Sequence, residues 1–237
     1  MLVSHNEIVT LCRKVFEALN RQCGEGEVIA YMVAEAEMMG LEGLAAFVKA
    51  LPWLEQDCDQ PPQVRLDTPQ RLEVDLRRAS VLCHLSPLLD YATTKLTPQG
   101  QVELVIRHCH NRWLCFGALY QLARQGYWST ASWYNGSAPH HVRFYLHGDS
   151  PRPTVQLGED SADDRHSLRI LISASPILRG PIPEDSRMME SEQLELARKQ
   201  ALATGIRVAD SHWNTLKEIA ARGLVEATDA SRRGAGE

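Results

Sequence analysis

The spacing of apolar side chains changes twice along the 237-residue chain, and this order constrains the fold more than any other feature. Over residues 1–56 they recur every three or four positions, which is typical of helices that bury one face. Between residues 63 and 175, short alternating or continuously apolar runs predict strands. Helical spacing returns over residues 187–224. Helices on either side of a group of strands predict an α/β fold of the layered α+β type, with a central mixed sheet in a single domain.

Residues that start and stop helices mark boundaries in the first segment. Ser4 and Glu7 have the spacing of a capping box, in which each side chain bonds the other residue's backbone N–H. A second helix is predicted over residues 27–39, with Gly40 as a left-handed cap. A third helix is predicted to stop before Pro52, because proline lacks the N–H that a helix interior needs.

Six strands and four further helices are predicted after residue 60. The strands are predicted over residues 64–67, 72–76, 101–107, 128–134, 142–147 and 168–173. The helices are predicted over residues 79–95, 114–124 and 191–203, with a last one that Asp210 or Ser211 caps. Residues 228–237 form a polar tail.

The composition excludes several classes of protein. The net charge is −5 and the isoelectric point is about 6.0, whereas non-specific binding to nucleic acid or to an anionic membrane needs a basic face. No run approaches the ~18 to 20 apolar residues of a membrane-spanning helix. Residues 1–7 lack the basic and apolar pattern of a signal peptide. The six cysteines have no paired spacing, so we expect reduced thiols and a cytoplasmic location.

Two histidines and a cysteine follow the strand predicted over residues 101–107. The spacing of His108, His110 and Cys115 fits no common zinc pattern, so no metal site is predicted. Alternate residues of a strand share a face. His108 and His110 therefore either point into one cleft, as binding or catalytic groups, or lie solvated at the end of the strand.

Two other segments carry candidate polar groups. His140, in a predicted loop, is either a general acid or base, since imidazole titrates near neutral pH, or part of an exposed turn. The tail is either an anion site, in which backbone N–H groups and guanidinium converge, or a solvated terminus. The tail residues that would form such a site are Ser231, Arg232, Gly234 and Gly236.

Three segments, in chain order, resemble the type-2 malate/L-lactate dehydrogenases. They are VAEAEMMGLEGL over residues 33–44, the strand and helix pattern of residues 102–135 with CFGALYQLARQGY, and ARKQALATGIRVADSHWNTLKEIA over residues 197–220. The closing SRRGAGE is similar to the tail of a small family of bacterial proteins of unknown function. The chain is thereby identified as a member of that family, with a truncated version of the dehydrogenase fold.

The positions that carry catalytic histidines in the dehydrogenases hold other residues in this chain. The family's Ser-His-Gly segment corresponds to residues 39–44, which include Leu41, and its His-Phe-Gly corresponds to Cys115-Phe116-Gly117. Hydride transfer to a carbonyl needs an acid or base that moves the hydroxyl proton, and leucine has none. The resemblance alone implies NAD(P) as a cofactor. Because these positions lack the histidines, we do not expect this chain to catalyse the family's dehydrogenase reaction.

Three functions are compatible with these patterns. The first is a binding or accessory protein, or an enzyme with altered acid–base chemistry, that takes a small carboxylate ligand. The polar groups expected near its cleft are His108, His110, Cys115, Asn135 and His140. The second is an NAD(P)-dependent reductase of a small keto or imino acid, and the third is an oligomeric scaffold. A homo-oligomer, specifically a homodimer, is expected by analogy, because the resembled dehydrogenases build their sites between subunits.

Overall fold

The computed structural model describes residues 1–19, 25–57, 60–149, 152–160, 162, 164, 166–180, 183 and 185–223. Its helices are α1 (His5–Ala18), α2 (Glu25–Met38), α3 (Gly43–Gln56), α4 (Leu85–Thr93), α5 (Cys115–Arg124), α6 (Ser191–Thr204) and α7 (Asp210–Arg222). Its strands are β1 (Leu2–Val3), β2 (Gln63–Asp67), β3 (Arg71–Asp75), β4 (Gln101–Arg107), β5 (Trp128–Tyr134), β6 (His141–Leu146), β7 (Thr154–Gly158), β8 (Leu168–Ser173), β9 (Arg187–Met189) and β10 (Ile206–Arg207).

Eight of these strands form one mixed sheet in the order β2-β3-β4-β8-β5-β6-β7-β9. β3 and β4 run parallel, and the other neighbouring pairs are antiparallel. β1 and β10 form a separate antiparallel pair. The predicted α/β fold with a central mixed sheet is confirmed. The sheet also takes in β7, which was not predicted, and β9, which the sequence pattern groups with the C-terminal helices.

The helices form layers on the sheet. α4 packs on β4, and α5 packs on β5 and β6. α2 packs on α5, and α1 and α3 pack in turn on α2, while α7 contacts both α1 and α3. The contact between α2 and α5 depends on Gly117, since a Cβ atom there would lie 2.3 Å from the Cα atom of Met32. The core therefore extends from the sheet through α5 to the first three helices.

The predicted signals at the ends of α1 and α2 are present in the structure. The Ser4 hydroxyl accepts the Glu7 N–H at 3.2 Å, and the Glu7 carboxylate accepts the Ser4 N–H at 2.7 Å. Gly40 has a φ of +72°. The Gly40 N–H donates to the Glu37 carbonyl and the Leu41 N–H to the Ala36 carbonyl, which is the Schellman pattern of a left-handed helix end.

Three helix boundaries differ from the prediction. α3 continues through Pro52 to Gln56, because burial of Leu51 and Leu54 in the core outweighs the hydrogen bond that proline cannot make. The helical stretch predicted over residues 79–95 was expected to be interrupted near Pro87; the interruption lies at His84 instead, between a short 3₁₀ turn (Val81–Cys83) and α4. The side chain of Asp210 does not cap α7, because its carboxylate accepts the amino group of Met1 at 2.6 Å.

Candidate functional site

The carboxyl ends of β3 and β4 define one edge of the sheet, because these two strands are parallel neighbours. Arg77 and Arg78 follow β3, and His108 and His110 follow β4. Backbone hydrogen bonds join the two segments, from the Arg78 N–H to the His108 carbonyl at 2.6 Å and from the Val81 N–H to the His110 carbonyl at 3.1 Å. Several groups predicted from the sequence therefore lie at this edge.

Two adjoining cavities open between α3 and the residues after β4. The smaller, about 230 Å³ and here named the cleft cavity, is lined by Ala46, Lys49, His110, Asn111, Arg112, Trp113, Leu114, Trp133 and Asn135. The larger, about 540 Å³, shares Ala46, Lys49 and Trp113 with it and extends to Leu41 and Met189. Among the described residues that line the cleft cavity, Lys49 and Arg112 are cationic and none is a carboxylate.

Arg112 and Asn135 are joined inside the cleft cavity. Nη1 of Arg112 donates to the Ser167 carbonyl at 3.3 Å, and Nη2 donates to Oδ1 of Asn135 at 3.5 Å. The same oxygen accepts Nε1–H of Trp133 at 3.1 Å, and Nδ2 of Asn135 donates to the Pro139 carbonyl at 2.8 Å. Burial lowers the pKa of Arg112 from its ordinary value. The guanidinium stays charged at neutral pH, since an arginine is not deprotonated in proteins.

His110 lies between the cleft cavity and the indole of Trp53 on α3. The two rings stack, with centroids 3.5 Å apart and planes inclined by 14°, and the His166 ring meets His110 edge-on at 5.9 Å. Burial lowers the pKa of His110 to about 4, and the nearby His166, Arg112 and Arg78 lower it further. The imidazole is therefore neutral at pH 7. It can accept a hydrogen bond there, but it supplies no charge.

His108 does not share the surroundings of His110. β4 ends at Arg107, and His108 adopts a left-handed conformation with φ of +47°. Its Nδ1 lies 3.0 Å from Oδ2 of the buried Asp75, and 59% of its side chain is exposed. The shared face that a longer strand would give does not form, because the backbone turns at His108.

Cys115 is the first residue of α5 and has no exposed surface. Burial raises the pKa of its thiol well above the usual range, and the nearby Cys109 raises it further. Because the thiolate is the nucleophilic form, a thiol held protonated in the core packs as a small apolar group. Cys115 therefore packs in the core and is not among the residues that line the cleft cavity.

His140 and His141 have different environments. His140 is half-buried in the loop before β6, and its carbonyl accepts the Asn135 N–H at 2.7 Å. His141 is 4% exposed, its Nδ1 lies 2.8 Å from Oδ2 of Asp160, and its ring stacks on Tyr134. Burial lowers the pKa of His141 in spite of the Asp160 carboxylate. The pair of His141 and Asp160 was not predicted. His141 begins β6 and Asp160 follows β7, so the two residues meet only through the pairing of these strands.

The sequence resemblance predicts Leu41 and Cys115 at the positions of the dehydrogenase histidines. Leu41 is 2% exposed and lines the larger cavity, and its carbonyl accepts Nε1–H of Trp113 at 2.7 Å. Leucine has no titratable group, and the thiol of Cys115 is buried and protonated. The residues at these two positions therefore do not fit the proton transfer that accompanies hydride transfer with NAD(P).

Lys49, Trp53 and Arg112 were not among the groups predicted from the sequence. Lys49 and Trp53 are four residues apart on α3, a spacing that places them on one helix face. The sequence contains that signal, but nothing in it indicates that the face meets the segment after β4. Arg112 enters the cleft cavity because the backbone turns again at Asn111, where φ is +60°.

The tail residues Ser231, Arg232, Gly234 and Gly236 lie outside the described residues, so their predicted role stays a prediction. Within the described part of the chain, no three His, Cys, Asp or Glu side chains are grouped so that they could hold a metal ion. Among the helices of that part, none is both long and apolar enough to cross a membrane.

Comparisons with known proteins agree with this architecture. Residues 3–81 match the model of a family described as a protein of unknown function, DUF3726. No curated protein matches the sequence. A dehydrogenase from Sinorhizobium meliloti superposes with a TM-score of 0.69 at 13% identity, over 93% of this chain and 99% of that chain. The chain has the malate/lactate dehydrogenase fold.

Two further solved structures support this assignment of the fold. A putative malate/lactate dehydrogenase from E. coli gives a TM-score of 0.69 at 10% identity, over 95% of this chain and 96% of that one. A delta1-piperideine-2-carboxylate reductase from Pseudomonas syringae pvar. tomato gives 0.64 at 13% identity, over 92% and 99%. The predicted resemblance is confirmed at the level of the fold: part of the chain matches an uncharacterised family, and the whole chain has the fold of the malate/lactate dehydrogenases. Identities this low establish the fold alone, so function has to be argued from the site.

Proposed function

We propose that the cleft cavity binds a small carboxylate, in a binding or accessory protein or in an enzyme whose chemistry differs from that of the malate/lactate dehydrogenases. One observation carries this proposal: Lys49 and Arg112 line the same cavity, and none of the described residues that line it with them is a carboxylate. Within the described part of the chain, no carboxylate lies within ion-pairing distance of Lys49. A carboxylate ligand would accept hydrogen bonds from both cations.

The rest of the cleft cavity suits the body of a small organic acid. Trp113 and Trp133 meet edge to face, with ring centroids 6.3 Å apart, and supply apolar walls. The neutral His110 supplies a polar group that can accept a hydrogen bond from a hydroxyl, amine or imine on the ligand. A few polar groups on an apolar wall are the usual composition of a small-molecule site.

Calorimetric titration with short 2-hydroxy, 2-oxo and cyclic imino carboxylates tests this proposal. We expect at least one acid to bind saturably, and its neutral amide analogue to bind at least about tenfold more weakly because the charge is lost. Lys49→Gln should weaken binding of the acid by a similar factor. Lys217→Gln, which removes an exposed lysine from α7, is the matched control and should leave binding unchanged.

Two results would contradict the proposal. One is an absence of saturable binding for every acid at millimolar concentration. The other is an affinity that Lys49→Gln and Lys217→Gln leave equally unchanged. Lys49 is exposed on the surface of α3, so its substitution removes a charge without opening the core.

The alternative function is reduction of a small keto or imino acid with NAD(P)H. The name of the Pseudomonas protein describes it as a reductase of delta1-piperideine-2-carboxylate. The shared fold favours it, whereas Leu41 and Cys115 at the expected proton-transfer positions do not. Binding of NADH and NADPH by fluorescence, followed by turnover with the same acids, distinguishes the two functions. Under our proposal the acids bind and no cofactor is oxidised.

The oligomeric state, the location and the role of the tail belong to the proposal as well. We propose a homo-oligomer, specifically a homodimer, in the cytoplasm. Sedimentation of the full chain tests the first point, since a monomer at micromolar concentration would contradict it. Deletion of residues 228–237 tests the scaffold hypothesis, which requires the oligomeric state or partner binding to change.

A further inference from the structure

A second cavity lies on the other side of the stacked pair formed by Trp53 and His110. It has a volume of about 400 Å³ and is here named the arginine cavity; it is lined by Trp53, Gln56, Asp57, Gln60, Leu76, Arg77, Arg78 and Ala79. Trp53 lines this cavity, and His110 lines the cleft cavity. The two rings, 3.5 Å apart, therefore form a thin aromatic wall between two cavities that both carry positive charge.

The backbone at the arginine cavity has an uncommon conformation. Arg77 and Arg78 are consecutive, and their φ angles are +51° and +76°. Left-handed backbone is unfavourable for residues with a Cβ atom. Short polar side chains can offset the cost with a local hydrogen bond to the backbone, and an arginine side chain is not of this type. Strained positions of this kind cluster at binding and catalytic sites, where the surrounding structure holds them. At this turn the strain places two guanidinium groups beside one cavity.

Asp75 holds this turn in place from within the core. It is 5% exposed; its Oδ1 accepts the Arg77 N–H at 2.8 Å, and its Oδ2 lies 3.1 Å from Nη2 of Arg65 and 3.0 Å from Nδ1 of His108. The Arg78 N–H donates to the His108 carbonyl at 2.6 Å. The backbone of both arginines is therefore fixed before any ligand binds, which lowers the entropy that binding would cost.

The charge of the arginine cavity is positive. Among the described residues that line it there are two guanidinium groups and one carboxylate, that of Asp57. Arg77 donates to the amide oxygen of Gln60, which is a neutral acceptor. Within the described residues, no carboxylate lies within ion-pairing distance of Arg78. The charge of Arg78 also acts on the other ring of the aromatic wall, since it is among the charges that lower the pKa of His110.

We propose that the arginine cavity binds a phosphomonoester, separately from the carboxylate in the cleft cavity. Two guanidinium groups offer paired N–H donors to a dianion with three terminal oxygens, which a phosphomonoester provides and a carboxylate does not. The half-buried indole of Trp53 gives the organic part of the ligand an aromatic surface beside those donors. This inference does not depend on the proposed function, because the two cavities have different lining residues.

Calorimetry of the full chain with inorganic phosphate, phenyl phosphate and benzoate tests the proposal. We expect both phosphates to bind saturably, phenyl phosphate more tightly than inorganic phosphate, and benzoate at least about tenfold more weakly than phenyl phosphate. Arg78→Gln and Arg78→Gly should each weaken the binding of phenyl phosphate by at least about tenfold. Glycine accepts the left-handed conformation at this position, so a folded variant is available even if Arg78→Gln fails to fold.

Two control variants make the outcome decisive. Arg124→Gln removes an exposed arginine from α5, and Lys49→Gln removes the cation of the cleft cavity; both should bind phenyl phosphate as the parent does. Unchanged binding in the Arg78 variants would overturn the proposal, as would a loss in Lys49→Gln alone, which would place the phosphate in the cleft cavity. Benzoate that binds as tightly as phenyl phosphate would overturn the ligand class, and absence of phosphate binding would overturn the site.

Discussion

The backbone carbonyl of Leu41 accepts a hydrogen bond from Nε1–H of Trp113 at 2.7 Å. This bond joins the turn after α2 to the short 3₁₀ turn that precedes α5. The Trp113 ring also meets the Phe144 ring of β6 edge to face, with centroids 5.4 Å apart. The Trp113 side chain therefore connects the turn after α2 to the sheet through one hydrogen bond and one aromatic contact.

Trp113→Phe should lower the free energy of unfolding by about 1–3 kcal/mol, because the buried Leu41 carbonyl loses its partner. The aromatic contact with Phe144 is retained in part, so the loss reports mainly on the hydrogen bond. Urea denaturation measures the effect. Trp128→Phe, at a half-buried position where β5 begins, is the control and should cost clearly less. Equal losses for the two variants would show that the bond to Leu41 contributes no stability.

Gly117→Ala should destabilise the fold by at least about 3 kcal/mol or prevent folding. An added Cβ atom would lie 2.3 Å from Cα and 2.4 Å from the carbonyl oxygen of Met32, so α2 and α5 would have to separate. Gly136→Ala is the matched control, since a Cβ atom at Gly136 meets nothing within 4 Å. Thermal and urea denaturation of the two variants measure the difference. A Gly117→Ala protein as stable as Gly136→Ala would mean that the two helices do not approach this closely.

Lowering the pH should destabilise the protein through His110. Its pKa is about 4 in the folded protein, mainly because it is buried, against an ordinary value of 6.5. The unfolded chain therefore binds this proton more readily, and the contribution of His110 to stability is lost as the pH falls from about 6.5 towards 4. His110→Gln should remove that part of the pH dependence while also losing the stacking on Trp53, and urea midpoints above and within this window measure both effects.

His140→Gln is the comparison for this experiment, because it removes a histidine without touching the aromatic wall. It should keep the pH dependence of the parent. A slope that stays the same in His110→Gln would mean that this imidazole takes up its proton equally in the folded and unfolded states.

The sequence predicts features whose partners are near each other in the chain. The capping box of Ser4 and Glu7 and the left-handed cap at Gly40 need only a few neighbouring residues, and both are present in the structure. The stacking of Trp53 on His110 joins α3 to the end of β4, and no local pattern indicates it. The same reason explains why His110 was identified as a candidate while its cationic surroundings were not.

The spacing of residues along the sequence also did not predict correctly which way the side chains at the end of β4 point. Strand alternation predicts one face for His108 and His110, but the left-handed backbone at His108 separates them. That conformation is held by a carboxylate from another strand, Asp75, which is itself placed by the parallel pairing of β3 and β4. The geometry of the site therefore depends on how the strands pair, whereas the sequence pattern predicts only where most of the strands lie.

Asp75→Asn should lower the free energy of unfolding by about 1–3 kcal/mol at neutral pH, because a buried carboxylate that accepts several hydrogen bonds loses its charge. Burial raises the pKa of Asp75, but the bonds from the Arg77 N–H, His108 and Arg65 outweigh it and hold the pKa below the ordinary value of 3.8. Its contribution to stability is therefore complete above that value and is lost as the pH falls through the lower pKa of the folded state. The difference between parent and variant should narrow in acid.

Urea denaturation of parent and variant at neutral and acidic pH measures this narrowing, and Asp90→Asn on the exposed surface of α4 is the control. The variant should also bind phenyl phosphate more weakly, because Asp75 fixes the backbone of Arg77 and, through His108, that of Arg78. A large loss of stability with no change in phosphate affinity would show that the turn keeps its shape without the carboxylate. A parallel loss of both would show that the strained backbone of the two arginines is maintained from the core.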